Sequence, residues 1–186
     1  MTVRLLRDFT PTKETVSLHG LGFIQVVLPA NRRLHVWHPD LPRRDWYVHS
    51  AIHNHRFGFI SRVLKGTLVN VRVDIELVRE GTHEVISHNG PRSALGGRES
   101  CVVAQCNVYE HAAERIEAGC EYIMQPGAYH HTPVDGVVIT LMTKTEETSI
   151  HANRIIAKGH HFHQDFDRFQ LSQRELMDFV AEALLK

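Results

Sequence analysis

Hydrophobic and polar residues alternate strictly along the segment LVNVRVDIELV, residues 68–78. Every second residue from Val69 to Leu77 is apolar, and the positions between them carry Asn70, Arg72, Asp74 and Glu76. An alternation with a period of two is typical of a β-strand that has one face in a core and the other in water. The segment is therefore predicted to be a strand with its four polar side chains in water.

Five further segments are rich in Val, Ile and aromatic residues and are bounded by turn residues, so each is predicted to be a strand. They are residues 22–29, 33–39, 45–55, 101–111 and 136–145. Asn89-Gly90 and the glycines at 96 and 97 mark turns or loops. Many short strands with little helix between them favour an all-β sandwich or barrel over a βαβ fold.

The last part of the chain has a helical pattern instead. Ser172 and Glu175 form the Ser-x-x-Glu pattern of a capping box, and apolar residues then recur at helical spacing as far as Leu184. A helix over residues 172–186 is predicted, packed on the β domain or, alternatively, on a second copy of the chain. The preceding residues, 159–167, contain three histidines and two aspartates. We interpret them as a solvated connector, with a metal-binding tract as the alternative.

A length of 186 residues suits one domain with its own hydrophobic core. We expect the barrel core over about 20–150 and a C-terminal extension over 151–186. Basic and acidic residues number 21 each, and this balance argues against nucleic acid or an anionic membrane as a partner. The arginine pairs at 32–33 and 43–44 are interpreted as solvated surface, with contact to an anion as the alternative.

The cysteine pattern and the first residues bear on the compartment. Cys101, Cys106 and Cys120 are an odd number and form no Cys-x-x-Cys pair, which fits reduced thiols. The first residues have no apolar run of the kind found in signal peptides, and no apolar run is long enough to cross a bilayer. The sequence therefore predicts a cytoplasmic protein.

Histidine is over-represented, with 15 residues, so spacing must decide which of them carry chemistry. His53 and His55 lie two apart in a predicted strand, project from the same face and can converge on one ion. By the same parity His49 lies on that face. A catalytic metal site needs a third protein ligand from a distant strand. The best candidate is His130, which follows a Pro-Gly turn and opens another predicted strand.

These motifs resemble those of the cupin superfamily. Its first motif is, loosely, Gly, His-x-His, three or four residues, Glu, six residues and Gly. The chain has His53-Asn54-His55, then Phe59 at the position of the glutamate, then Gly66. The second motif, Pro-Gly-x-x-His, is matched by PGAYH at 126–130. The resemblance covers about 20–150 and implies a double-stranded β-helix, a jelly-roll barrel.

Carried over to this chain, the resemblance implies His53, His55 and His130 as metal ligands. His131 is the alternative third ligand, although strand parity points it away from the site. Phe59 removes the carboxylate ligand, which leaves a three-histidine site similar to that of cysteine dioxygenase and other thiol dioxygenases. We expect one divalent transition metal there, Fe(II) first, with Zn or Ni as alternatives.

The substrate pocket is predicted by parity and by distance from the motifs. It would include the following residues: Tyr47, His49, Phe57, Phe59, Ser61 and Tyr129. Arg62 falls on the opposite face of its strand and is expected outside. The sequence does not identify an arginine that would bind the carboxylate of an amino-acid substrate.

The leading hypothesis is a metal-binding cupin that acts as a mononuclear non-haem iron dioxygenase on a small thiol or enolate. A non-catalytic cupin that binds a small molecule, or serves as a structural subunit, is the first alternative. A sugar-type isomerase or epimerase is the second. It needs a histidine paired with a carboxylate, for which Glu121 and Asp135 flank the second motif. Whether the protein is an enzyme stays open at this point.

Overall fold

The computed structural model describes residue 6 and residues 9–45, 47–160 and 166–185. Within them the chain forms twelve β-strands, a 3-10 turn at Tyr47–His49 and one α-helix, α1, at Gln173–Leu185. The strands are β1 (Val16–His19), β2 (Phe23–Leu28), β3 (Arg32–Trp37), β4 (Phe57–Lys65), β5 (Thr67–Val78), β6 (His83–Ser87), β7 (Cys101–Glu110), β8 (Glu114–Glu117), β9 (Glu121–Met124), β10 (Tyr129–His131), β11 (Val138–Glu147) and β12 (Asn153–Ala157).

The strands form two antiparallel sheets of six strands each. The first sheet has the order β1-β2-β3-β11-β4-β9, and the second has the order β10-β5-β7-β6-β12, with β8 also paired to β5. The all-β class is confirmed, and the arrangement is consistent with a jelly-roll β-sandwich. The described residues form no closed barrel, since each sheet keeps two edge strands. The sheets run from Val16 to Ala157, slightly beyond the predicted core.

Five of the six predicted strands are present, as β2, β3, β5, β7 and β11. The predicted alternation in β5 is wrong at two positions. Asn70 is fully buried rather than in water, and Leu77 is 64% exposed rather than in the core. Asn70 is buried because its amide hydrogen-bonds within the sandwich, as described below. Leu77 lies in the half of β5 that is paired with β7 alone among the described strands.

The two faces of the first sheet differ in chemistry. Alternate residues of β2 and β3, such as Val26 and Leu34, are fully buried in an apolar cluster that also contains residues of α1. The residues between them, such as Gln25 and His35, point to the other side and line a cavity. Because successive residues of a strand point to opposite faces, one strand can serve both sides.

The helix α1 closes the apolar side of the first sheet. Its start is the predicted capping box: the Ser172 backbone N–H donates to Glu175 Oε2 at 2.8 Å, and the Glu175 N–H donates to Ser172 Oγ at 3.2 Å. Leu176, Val180 and Ala183 are buried in the apolar cluster, so the helix packs on its own sheet. Lys186 and residues 161–165 of the predicted connector lie outside the described residues.

Alpha-helical length and composition also bear on membrane insertion. Among the described residues, no helix has the length and apolar character needed to cross a bilayer. The predicted cytoplasmic location stays a prediction.

Candidate metal centre

The segment that carries the first two histidines is a loop. The strand predicted over 45–55 is wrong: its first part forms the 3-10 turn at Tyr47–His49, and Trp46 lies outside the described residues. Arg44 holds the turn locally, because its guanidinium donates to the Ser50 hydroxyl at 2.9 Å and to the Ser50 carbonyl. These local bonds win over the β propensity of Tyr47 and Val48.

Backbone pairing fixes the part of the loop that bears the ligands. His53 and His130 exchange two backbone hydrogen bonds of 2.9 Å each, as in one step of an antiparallel ladder. The next residue, Asn54, accepts the Asn153 N–H through its side chain at 2.7 Å. Two backbones that pair in this way place their side chains side by side. The strand geometry predicted for His53 is therefore present, but as an isolated bridge.

The structure brings together the three histidines of the two motifs. The ligand nitrogens of His53, His55 and His130 all lie within 4.8 Å of one another, and they form a group that could hold a metal ion. His55 Nε2 and His130 Nε2 are 3.1 Å apart. His131, the alternative ligand, points away and lies 3.0 Å from Glu110 through its Nε2. The neighbour that joins the cluster is thus the one that strand parity selects, and its role as a ligand stays a prediction.

Hydrogen bonds on the outer side orient two of the three rings. His53 Nδ1 lies 2.7 Å from the Ala51 carbonyl, and His130 Nδ1 lies 2.8 Å from Asn70 Oδ1. A carbonyl oxygen can only accept, so each Nδ1 carries the proton and donates. The lone pairs on Nε2 then face the cluster, as a metal ligand requires. In this arrangement His55 donates its Nε2–H to His130, and a metal ion would require the other tautomer of His55.

The orientation of the Asn70 amide is fixed by a further acidic partner. Asn70 Nδ2 donates to Glu114 Oε2 at 3.0 Å, and the other oxygen of Glu114 accepts from Arg72 Nε at 3.1 Å. The bonds from Asn70 and Arg72 lower the pKa of Glu114, so this carboxylate is ionised near neutral pH and can only accept. Asn70 must therefore present its oxygen to His130. Sequence reasoning missed Asn70, because strand parity placed it in water.

The environment keeps the imidazoles neutral. Burial lowers the pKa of His53 to about 4, and burial with the neighbouring histidines lowers the pKa of His55 and of His130 well below the ordinary value. A neutral imidazole is the form that binds a metal, so an ion does not have to displace protons near pH 7. The electrostatics and the donor set both fit a divalent transition metal.

Aromatic residues stand beside His55, one of them at the position where the resemblance to cupins implies a carboxylate. Phe57 and Phe59 are buried, and each ring centroid lies 5.2 Å from that of His55. Ser61 is buried on the same face of β4, while Arg62 is exposed as expected. The three histidines are joined by no aspartate or glutamate among the described residues. The site offers three nitrogen ligands and an apolar wall.

The other three predicted pocket residues contact side chains outside the cluster. The His49 ring stacks on His160 at 3.9 Å, and the Arg43 guanidinium lies 5.2 Å from the centroid of the Tyr47 ring. The Tyr129 hydroxyl accepts from Asn153 Nδ2 at 3.2 Å. None of the six predicted pocket residues lines the cavity beside the histidines. Their contact with a substrate stays a prediction.

That cavity has a volume of about 320 Å³ and reaches His53 and His55. Arginine is its most frequent lining residue, and no aspartate or glutamate is among the described residues that line it. The arginines are Arg33, Arg44, Arg92, Arg98, Arg154 and Arg168. The interpretation of Arg33 and Arg44 as solvated surface is wrong, because both line the cavity. Arg33 lies on the same face of β3 as His35. Arg44 hydrogen-bonds to Ser50 in the loop before His53.

Comparisons of the chain with protein-family models and with curated proteins find no match. The likeness to cupins therefore rests on the two motifs, on the β-rich fold and on the histidine cluster, all of which are compatible with that superfamily.

Proposed function

We propose that the protein is a mononuclear non-haem iron dioxygenase acting on a small molecule of the thiol or enolate class. The observation that carries the proposal is the cluster of His53, His55 and His130, whose ligand nitrogens lie within 4.8 Å of one another at the end of a cavity. Three protein ligands leave positions open for substrate, as catalytic sites require. The preference for iron follows the resemblance to thiol dioxygenases, since imidazole ligands alone suit several metals.

The chain's own residues would hold the metal and shape its surroundings. A ferrous ion would be held by His53, His55 and His130 and would supply the electron-transfer chemistry that reactions with dioxygen need. Phe57 and Phe59 keep water from one side of the cluster, which strengthens electrostatic interactions there. With neutral ligands the bound ion keeps its full positive charge, and an anionic atom of a substrate is favoured next to it.

Two other functions share parts of this geometry. A non-catalytic protein that binds a small anion is favoured by the arginine lining of the cavity and is the second candidate. An isomerase or epimerase is not favoured. Glu121 and Asp135 are both exposed, and the paired His131 and Glu110 lie on the other face of the second sheet from the cluster. The homodimer and the small-molecule partner stay predictions.

Elemental analysis of freshly purified protein tests the proposal. We expect about one transition-metal ion per chain, and loss of that ion in His53→Ala and His130→Ala. His111→Ala is the matched control, because His111 is half-exposed, bonds to Asp74 and is not one of the three clustered histidines. Oxygen uptake with a panel of small thiols and enolisable diketones then tests catalysis. Full metal content in both ligand variants would refute the site, and metal without oxygen uptake would favour the binding protein.

A further inference from the structure

Positively charged side chains are concentrated around the cavity, although the chain as a whole has no net charge. Lysine plus arginine equals aspartate plus glutamate, at 21 each, yet six arginines line this one cavity. They come from β3, from the loops before β4 and before β7, from β12 and from the segment before α1. Segments distant in sequence thus converge on one space of about 320 Å³.

Neutral groups hold most of these guanidiniums in place. Arg33 donates to Gln25 Oε1 at 3.2 Å, Arg44 to the Ser50 hydroxyl, and Arg168 to the Leu18 carbonyl at 3.1 Å. Arg92 and Arg98 donate to the carbonyls of Gly96 and Gly90. None of these five arginines forms an ion pair with a described acidic residue. Their positions are fixed, but their charge is not neutralised by these bonds.

The arginines also influence one another and the histidine cluster. Burial and the nearby Arg92 lower the pKa of both Arg33 and Arg168, that of Arg168 to about 10. The charge of Arg33 also lowers the pKa of His55, and the charge of Arg44 lowers the pKa of His53. A guanidinium remains protonated in proteins, so the cavity keeps this positive charge. A partly buried charge whose partners are neutral is costly, and a bound anion would reduce that cost for the five arginines held by neutral groups.

We propose that the cavity binds a small molecule carrying at least two negative charges, in carboxylate or phosphate groups, with its reacting end at His53 and His55. The guanidinium fork matches the oxygen geometry of both groups. The apolar residues Leu21, Phe23 and Met142 also line the cavity and suit a short hydrocarbon part between the charged groups. Only the position of the reacting end rests on the proposed function, because anion binding by the arginines needs no metal.

Calorimetric titration at low salt tests this inference on the purified full chain, with and without metal. The probes are inorganic phosphate, succinate and 2-phosphoglycolate, with succinamide as the uncharged analogue of succinate. We expect succinate and 2-phosphoglycolate to bind and succinamide not to bind. Tighter binding of 2-phosphoglycolate would assign a phosphate ligand, and tighter binding of succinate a dicarboxylate. Absence of binding by all three anions to the folded protein would overturn the inference.

Variants separate the anion site from the metal site. Arg33→Gln should weaken anion binding by about ten- to a hundred-fold, the worth of one charged hydrogen-bonding partner, and Arg62→Gln, on the exposed face of β4, should leave it unchanged. His130→Ala should lose metal yet still bind succinate or 2-phosphoglycolate, because His130 does not line the cavity. If Arg33→Gln unfolds, Arg98→Gln in the loop before β7 replaces it. Metal binding without anion binding refutes this inference alone, and the reverse result refutes the proposed function alone.

Discussion

The first sheet has two faces that are built from the same strands and do different work. On the side of α1, Leu34 and Val36 of β3 are fully buried among apolar residues. On the cavity side, Arg33 and His35 of the same strand stand beside the histidine cluster. Successive residues of β3 therefore lie alternately on an apolar surface and on a charged one.

The difference shows where stability and chemistry come from. Each fully buried leucine on the α1 side contributes about 1.5–3 kcal/mol through removal of apolar surface from water. On the cavity side, burial acts against the charged forms: it lowers the pKa of His35 to about 3 and that of Arg44 to about 10. The buried ionisable groups on the cavity face therefore lower the free energy of unfolding, as groups in binding sites commonly do.

Leu34→Ala is the substitution that should act most strongly on the α1 side. Leu34 is fully buried, and its truncation should lower the free energy of unfolding by about 2–5 kcal/mol, because the neighbouring side chains cannot fill the cavity. Urea denaturation measures this change. Val27→Ala, at a partly exposed site on β2, is the control and should cost less than about 1 kcal/mol. Equal losses in the two variants would contradict the assignment of this face as the main core.

His35 gives the matching test on the cavity side. Its pKa is lowered from 6.5 to about 3, mainly by burial, so the unfolded chain takes up a proton at a higher pH than the folded one. Stability is therefore complete above about pH 6.5 and falls as the pH drops towards 3. At about pH 4.5 the loss due to His35 is roughly 2–3 kcal/mol.

His35→Phe should remove that part of the pH dependence, since a phenyl ring can keep the ring contacts with Phe23 and Trp37. Unfolding curves of metal-free protein at about pH 7.5 and 4.5 measure the difference. Leu34→Ala is the control, because it should lower stability equally at both pH values. Parallel pH profiles for the native chain and His35→Phe would argue against a buried neutral histidine.

Asn70→Ala tests the outer support of the histidine cluster. Without the Asn70 oxygen, the Nδ1–H of His130 loses its acceptor, and the ring is no longer held with Nε2 towards the ion. Metal affinity should fall by about ten- to a hundred-fold, the usual effect of removing such a partner. Competition with a chromophoric chelator measures it. Asn107→Ala on β7, whose side chain accepts the Thr82 N–H at 3.3 Å, should keep the native affinity.

Much of the fold follows from local patterns. Alternation and turn residues predict β2, β3, β5, β7 and β11, and the Ser-x-x-Glu pattern predicts the start of α1. The 45–55 strand fails because a side chain, Arg44, stabilises a turn there. Strands as short as β8, with four residues, carry too little pattern to be recognised; they form because their partner strands are already in place.

The candidate site divides in the same way. His-x-His and PGAYH are local motifs, so the three clustered histidines could be predicted. Asn70 and the six arginines could not, because nothing within their own segments marks them: they acquire their role when distant segments pack together. Because Arg33 follows Arg32, the sequence even favoured the wrong interpretation of Arg33 as solvated surface. A residue's chemistry is readable from sequence, but its neighbours across the sandwich are not.

Ser172→Ala gives the smallest expected change and sharpens the separation of the two faces. Ser172 Oγ accepts the Glu175 N–H at 3.2 Å, and burial of α1 depends on residues further along the helix. Its loss should cost about 1 kcal/mol, the usual worth of an N-cap, and Ser149→Ala at an exposed loop serine should cost almost nothing. Metal and anion affinity should both stay native, because the buried residues of α1 pack in the apolar cluster and do not line the cavity. If Ser172→Ala weakened metal binding, the two faces of the first sheet would be coupled through β3. The conclusion that one face supplies stability and the other supplies the site would then be wrong.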